Sequence, residues 1–114
     1  MENKEYLDLY PFRATGHEEK EDGLITVLYV NPKPNFFERT FFKKASKRPY
    51  KIDLDEIGSF VWMQCDGKST VSQIIEKGKE KFGEKIEPAE NRVIEFIRRL
   101  VRTKLLNLFE KKEN

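Results

Sequence analysis

The chain has 114 residues, of which 37% are charged; 22 Lys and Arg against 20 Asp and Glu leave a formal net charge of +2. That length predicts one domain with a single core, and the near balance of charge excludes the strong basic excess usual in nucleic-acid binders. One cysteine, Cys65, excludes an intramolecular disulfide, and one His with one Cys excludes a zinc site of the usual four-ligand kind.

Met1 to Glu5 is polar and expected to fray. Tyr6, Leu7, Leu9, Tyr10 and Phe12 form an apolar cluster interrupted by Pro11. It is expected to be a strand or an extended arm lying on the core. His17 to Asp22 is a charge run, expected as a solvated loop or the start of a strand. Residues 1–22 thus read as an arm and charged segment, 23–110 as the folded domain and 111–114 as a polar tail. Leu24 to Val30 is β-branched and aromatic, which predicts a strand. Asn31 to Asn35 is turn chemistry, and the aromatic run Phe36 to Phe42 predicts a second strand. Lys43, Lys44, Lys47 and Arg48 make a basic loop. Tyr50, Ile52 and Leu54 then alternate with Lys51 and Asp53, the period of a short strand with one buried face.

Helices follow. In Leu54 to Gly67, Asp55 and Glu56 place negative charge where a helix dipole is positive. Ile57, Phe60, Val61 and Met63 recur at helical spacing, and Asp66-Gly67 stops the run. Ser69-Thr70 reads as a cap for a second helix, Val71 to Phe82, with Gly78 as an interior weak point and Gly83 as its stop. Pro88 marks the first turn of a third helix. Val93, Phe96, Ile97, Leu100 and Val101 form its apolar stripe, with Arg92, Glu95, Arg98, Arg99 and Arg102 on the other side. Leu105 to Phe109 is expected as a terminal strand or a tail on the sheet. The order predicts an α+β domain of the winged helix-turn-helix type: an antiparallel sheet of about three strands, then three helices.

Catalytic chemistry is not expected. Cys65 and His17 lie far apart in sequence, and Cys65 follows a helix C-terminus, where the dipole disfavours a thiolate. Asp53, Asp55 and Glu56 are accounted for by helix capping. Trp62 is expected between helix and sheet. There is no Gly-rich phosphate loop. The sequence therefore predicts a non-enzyme with no cofactor and no metal. No apolar N-terminal run resembles a signal peptide and no stretch reaches the length of a membrane span, so a cytoplasmic setting is expected.

Leu54-Asp55-Glu56-Ile57-Gly58, then Val61-Trp62, Cys65-Asp66-Gly67, Thr70-Val71 and Ile74 resemble the PqqD-like family. So do Phe82-Gly83, a charged helix with Arg92, Phe96, Ile97 and Leu100, and the closing Leu105-Leu106. The family is named for pyrroloquinoline quinone biosynthesis protein D; its members are small peptide-binding domains, also called RiPP recognition elements. The resemblance spans roughly Tyr50 to Phe109. It implies the same sheet-then-helices arrangement. It also implies capture of the leader of a ribosomally made precursor peptide, which is then presented to a modifying enzyme, often a radical SAM enzyme. The family's mode is strand addition at a sheet edge, beside the third helix.

Carried onto this chain, the resemblance puts the edge at Tyr50, Lys51, Ile52 and Asp53. The wall is the helix from about Asn91 to Arg102, where Ile94, Ile97, Arg98, Val101 and Arg102 are candidate contacts: Ile94 and Val101 lie toward one margin of the apolar stripe with Arg98 beyond them, and the alternative is that Ile94 and Val101 complete the core while the arginines are solvated. Arg98 or Arg102 would pair with leader carboxylates. The long charged N-terminal half and the Lys43–Arg48 loop depart from the short strand pair of the founding pathway and look more like stand-alone members. Two other functions come from different classes. One is winged-helix DNA binding through Arg92, Arg98, Arg99 and Arg102, opposed by Glu84, Glu87, Glu90 and Glu95. The other is a dimerisation or scaffold module using the Phe-rich strand. Monomer and homodimer both stay open; no membrane partner is expected.

Overall fold

The computed structural model describes residues 2–29 and 50–110. The strand expected at Phe36 to Phe42 and the basic loop Lys43 to Arg48 lie outside the described residues. The fold is α+β with antiparallel strands, and it forms two compact units: Met1–Ala14 with Asp55–Asn114, and Thr15–Leu54.

The smaller unit carries β2 (His17–Glu19), β3 (Ile25–Tyr29) and β4 (Tyr50–Asp53), in the order β2-β3-β4. The charge run does start a strand: Lys20 N–H donates to the Leu24 carbonyl across the turn, and Glu19 faces Ile25. Thr26 pairs with Asp53, Val27 with Ile52, Leu28 with Lys51 and Tyr29 with Tyr50. Ile25, Thr26 and Val27 are buried.

The larger unit is built on three helices: α2 (Glu56–Gln64), α3 (Val71–Phe82) and α4 (Ala89–Arg102). Asp55 starts α2 as an N-cap, its carboxylate accepting from Gly58 N–H at 2.7 Å. Thr70 starts α3 with a reciprocal cap: its hydroxyl accepts from Gln73 N–H at 3.1 Å, and the Gln73 side chain accepts from Thr70 N–H at 2.8 Å. A 3-10 turn, Gly83–Ile86, joins α3 to α4. The core lies among the three helices, with Trp62, Val71, Ile74, Ile86, Val93, Ile94 and Ile97 all fully buried. Gly78 is no weak point: it is buried, and a Cβ there would lie 2.7 Å from the Ile86 Cδ1, so its small size admits that side chain.

From sequence, each chain end reads as either a strand or a segment lying on the core or sheet. In the structure they pair: β1 (Tyr10–Arg13) and β5 (Leu106–Phe109) form a separate two-stranded antiparallel sheet. A three-stranded antiparallel sheet does precede the helices, as β2-β3-β4, and Tyr10–Arg13 forms a second sheet with the C-terminal strand. Ahead of β1 is a helical turn, α1 (Asn3–Tyr6), with Tyr6 buried. This arm also satisfies orphan donors at the start of α3: Val71 N–H donates to the Leu9 carbonyl and Ser72 N–H to the Leu7 carbonyl, both at 3.0 Å.

The turn after α2 is tight. Gly67 sits at φ 79°, its N–H donates to the Pro11 carbonyl, and a Cβ there would lie 2.7 Å from Cδ2 of Phe12. Gly67→Ala combines an unfavourable backbone region with a ring clash, so a loss of ~1–3 kcal/mol is expected. Urea unfolding measures it; an unchanged midpoint contradicts this geometry.

Candidate functional site

The β4 strand lies at the end of its sheet's order, and no strand among the described residues pairs with its outer edge. Which of its groups face outward follows from the register. Leu54 N–H donates to the Ile25 carbonyl at 2.9 Å, so the even-numbered residues direct their backbone groups at β3. The N–H and C=O of Lys51 and Asp53 therefore point to the outer edge.

The side chains on this strand hold it to its own sheet. Asp53 does not cap a helix, as the sequence suggested. Its carboxylate accepts from the Thr26 hydroxyl at 2.7 Å and pairs with Lys20 at 3.0 Å. The Thr26 hydrogen bond, with Lys20 beside it, moves the Asp53 carboxyl below its ordinary pKa. A depressed carboxyl stabilises the folded form above the unfolded value, so this contribution fades as pH falls through acid values. Lys51 lies 3.9 Å from Glu18, both exposed, a pair worth little in water. Tyr50 is exposed and its ring lies 6.2 Å from that of Tyr29.

A separate groove of about 620 Å³ opens in the larger unit between α2 and α4, with Asn3 of the arm at its edge. That volume lies within the range of small-ligand pockets, enough for a few side chains of a guest. Ile57 and Val61 come from α2; Arg92, Glu95, Phe96 and Arg99 come from successive turns of α4. The acidic groups here are occupied: Asp55 caps α2, and Glu95 accepts from Arg98 at 2.9 Å.

The helix residues carried over from the resemblance fall elsewhere. Ile94 and Ile97 are 0% exposed, so their side chains belong to the core and offer nothing to a surface ligand. Val101 is half-buried and Arg102 exposed, and neither lines the groove. Arg98 is engaged by the arm: it donates to Asn3 at 2.8 Å, and its guanidinium lies 5.3 Å from the centre of the Tyr6 ring. Asn3 also donates to Asn91 at 3.1 Å. The groove therefore opens on the opposite margin of α4, along Arg92, Phe96 and Arg99. These three are spaced i, i+4, i+7, a signal present in the sequence but read there as core stripe and solvated charge.

Cys65 is buried, its thiol donates to the Val61 carbonyl at 3.1 Å, and burial pushes its pKa up to about 12. A thiol held neutral in this way is a packing group. Ellman's reagent should leave it untouched in the folded chain and titrate one thiol in denaturant; rapid reaction in native buffer contradicts the burial. Among the described residues no group of three or more His, Cys, Asp or Glu could hold a metal, and no helix is long and apolar enough to cross a membrane.

The fold is α+β: the larger unit packs three helices beside a groove, and the smaller presents a strand edge. The family model described as coenzyme PQQ synthesis protein D (PqqD) matches residues 49–106, from just before β4 to the start of β5. This covers just over half of the chain, which belongs to the PqqD family. No curated protein and no solved structure matched the chain.

Proposed function

We propose that this protein is a non-catalytic peptide-binding member of the PqqD family, with a PqqD-like part in the maturation of a ribosomally made precursor. It captures the leader segment by strand addition to β4 and presents the peptide to a modifying enzyme of the radical SAM type. The observation that carries this is the outer edge of β4. Lys51 and Asp53 direct main-chain donors and acceptors away from β3, and no strand among the described residues meets them. The family match begins one residue before this strand.

Physically, such an edge binds a guest through its backbone, while pockets for alternate side chains add selectivity. Lys51 and Asp53 also place charges along the edge, which deters indiscriminate pairing. The domain's part is to raise the local concentration of the precursor at the enzyme, not to break or make bonds. Separate calorimetric titrations with the leader half and the core half of the precursor encoded beside this chain test it. The leader should bind and the core should not. Binding of neither, or of the core alone, overturns the reading.

A further inference from the structure

Strand addition at β4 leaves open which peptides are chosen. The charges of the α2–α4 groove bear on that. Four ionised side chains line it: Asp55, Glu95, Arg92 and Arg99. Both carboxylates already have partners inside the protein, Asp55 at Gly58 N–H and Glu95 at Arg98. Among the described residues, neither arginine pairs with a carboxylate. Arg92 donates to the Lys85 main-chain carbonyl at 2.6 Å, a neutral acceptor, and the exposed Arg99 side chain makes no hydrogen bond or ion pair among the described residues. Half-buried Phe96 lies between them on α4, with half-buried Ile57 across the groove.

We infer that this groove selects an extended peptide carrying an acidic residue two positions from a large apolar one, the carboxylate pairing with Arg99 and the apolar side chain resting on Phe96 and Ile57. This deepens the peptide-binding reading and rests on it. Phe96 and Arg99 are three residues apart, ~4.5 Å along the helix axis. Same-face side chains of an extended chain repeat every ~6.7 Å, a difference that a flexible arginine spans. A carboxylate also matches the fork of the guanidinium, which takes it bidentately.

The test uses a displayed library of random dodecapeptides, selected in parallel on the wild-type chain, on Arg99→Gln and Arg99→Lys, and on Lys68→Gln, which removes an exposed cation that does not line the groove. Arg99 is exposed, so these changes leave the fold intact, which circular dichroism verifies. Wild type and Lys68→Gln should enrich Asp or Glu two positions from Leu, Ile, Phe or Met. Arg99→Gln should lose the acidic enrichment and keep the apolar one, and Arg99→Lys should retain part of it. For a selected peptide, Glu→Gln should weaken binding to wild type by ~10–100-fold and to Arg99→Gln by little. Enriched peptides with no acidic preference, or with the same preference on Arg99→Gln, overturn this inference while leaving peptide binding in place. Enrichment of nothing on any variant removes both.

Discussion

Lys51→Pro is expected to weaken leader binding by ~10–100-fold while leaving the fold in place. The substitution removes one main-chain N–H, and the register fixes where that group points. Ile52 faces β3, so the Lys51 N–H faces the open edge and contributes nothing to the β3–β4 ladder. Proline is tolerated on an edge strand when its missing donor faces outward. The preceding residue, Tyr50, is already in a strand, the conformation that a following proline favours. In the complex the matching peptide carbonyl would lose its partner, at a cost of ~1–3 kcal/mol for a desolvated acceptor. Ile52→Pro is the informative contrast: it strikes the inner ladder and should unfold the sheet. Affinity equal to wild type in Lys51→Pro would mean that the guest does not pair with this edge.

Trp62→Ala should have the largest effect on stability of any single change in α2. The residue is 0% exposed, the largest of the fully buried side chains. Truncating a buried tryptophan costs ~3–5 kcal/mol, through lost transfer energy and the cavity left behind. Domains of this size hold only ~5–15 kcal/mol in total. The melting temperature should therefore fall by more than ~10 °C, with Trp62→Phe falling between. A Trp62→Ala variant that melts like wild type would contradict the packing of α2.

The helices were the legible part of this chain. Asp55, Thr70 and Gly83 act through local rules of capping and termination, so α2 and α3 could be placed to within a residue or so. The β4 strand was legible for the same reason, as a short alternation. Non-local pairing was harder to read. Nothing in Tyr10–Arg13 indicates that its partner is Leu106–Phe109, nearly the whole chain away. Nor do Leu7 and Leu9 reveal that their carbonyls serve the first turn of α3.

On α4 the helical period identified the stripe but not its useful margin. Ile94 and Val101 with Arg98 beyond them mark one margin, and the sequence leaves open which margin faces a guest. The structure buries Ile94 and engages Arg98 with Asn3 and Tyr6. Arg92, Phe96 and Arg99 carry the same combination on the other margin, and only the placement of α2 and the arm decides between them.

Amide exchange followed by NMR on the chain saturated with leader peptide tests the central claim most directly. Strand addition predicts a fingerprint of alternate residues in β4. Lys51 and Asp53 N–H should change from fast to protected exchange, and Ile52 N–H, already turned towards β3, should change little. If Lys51 and Asp53 exchange as fast with the peptide as without it, the outer edge of β4 is not where a leader binds.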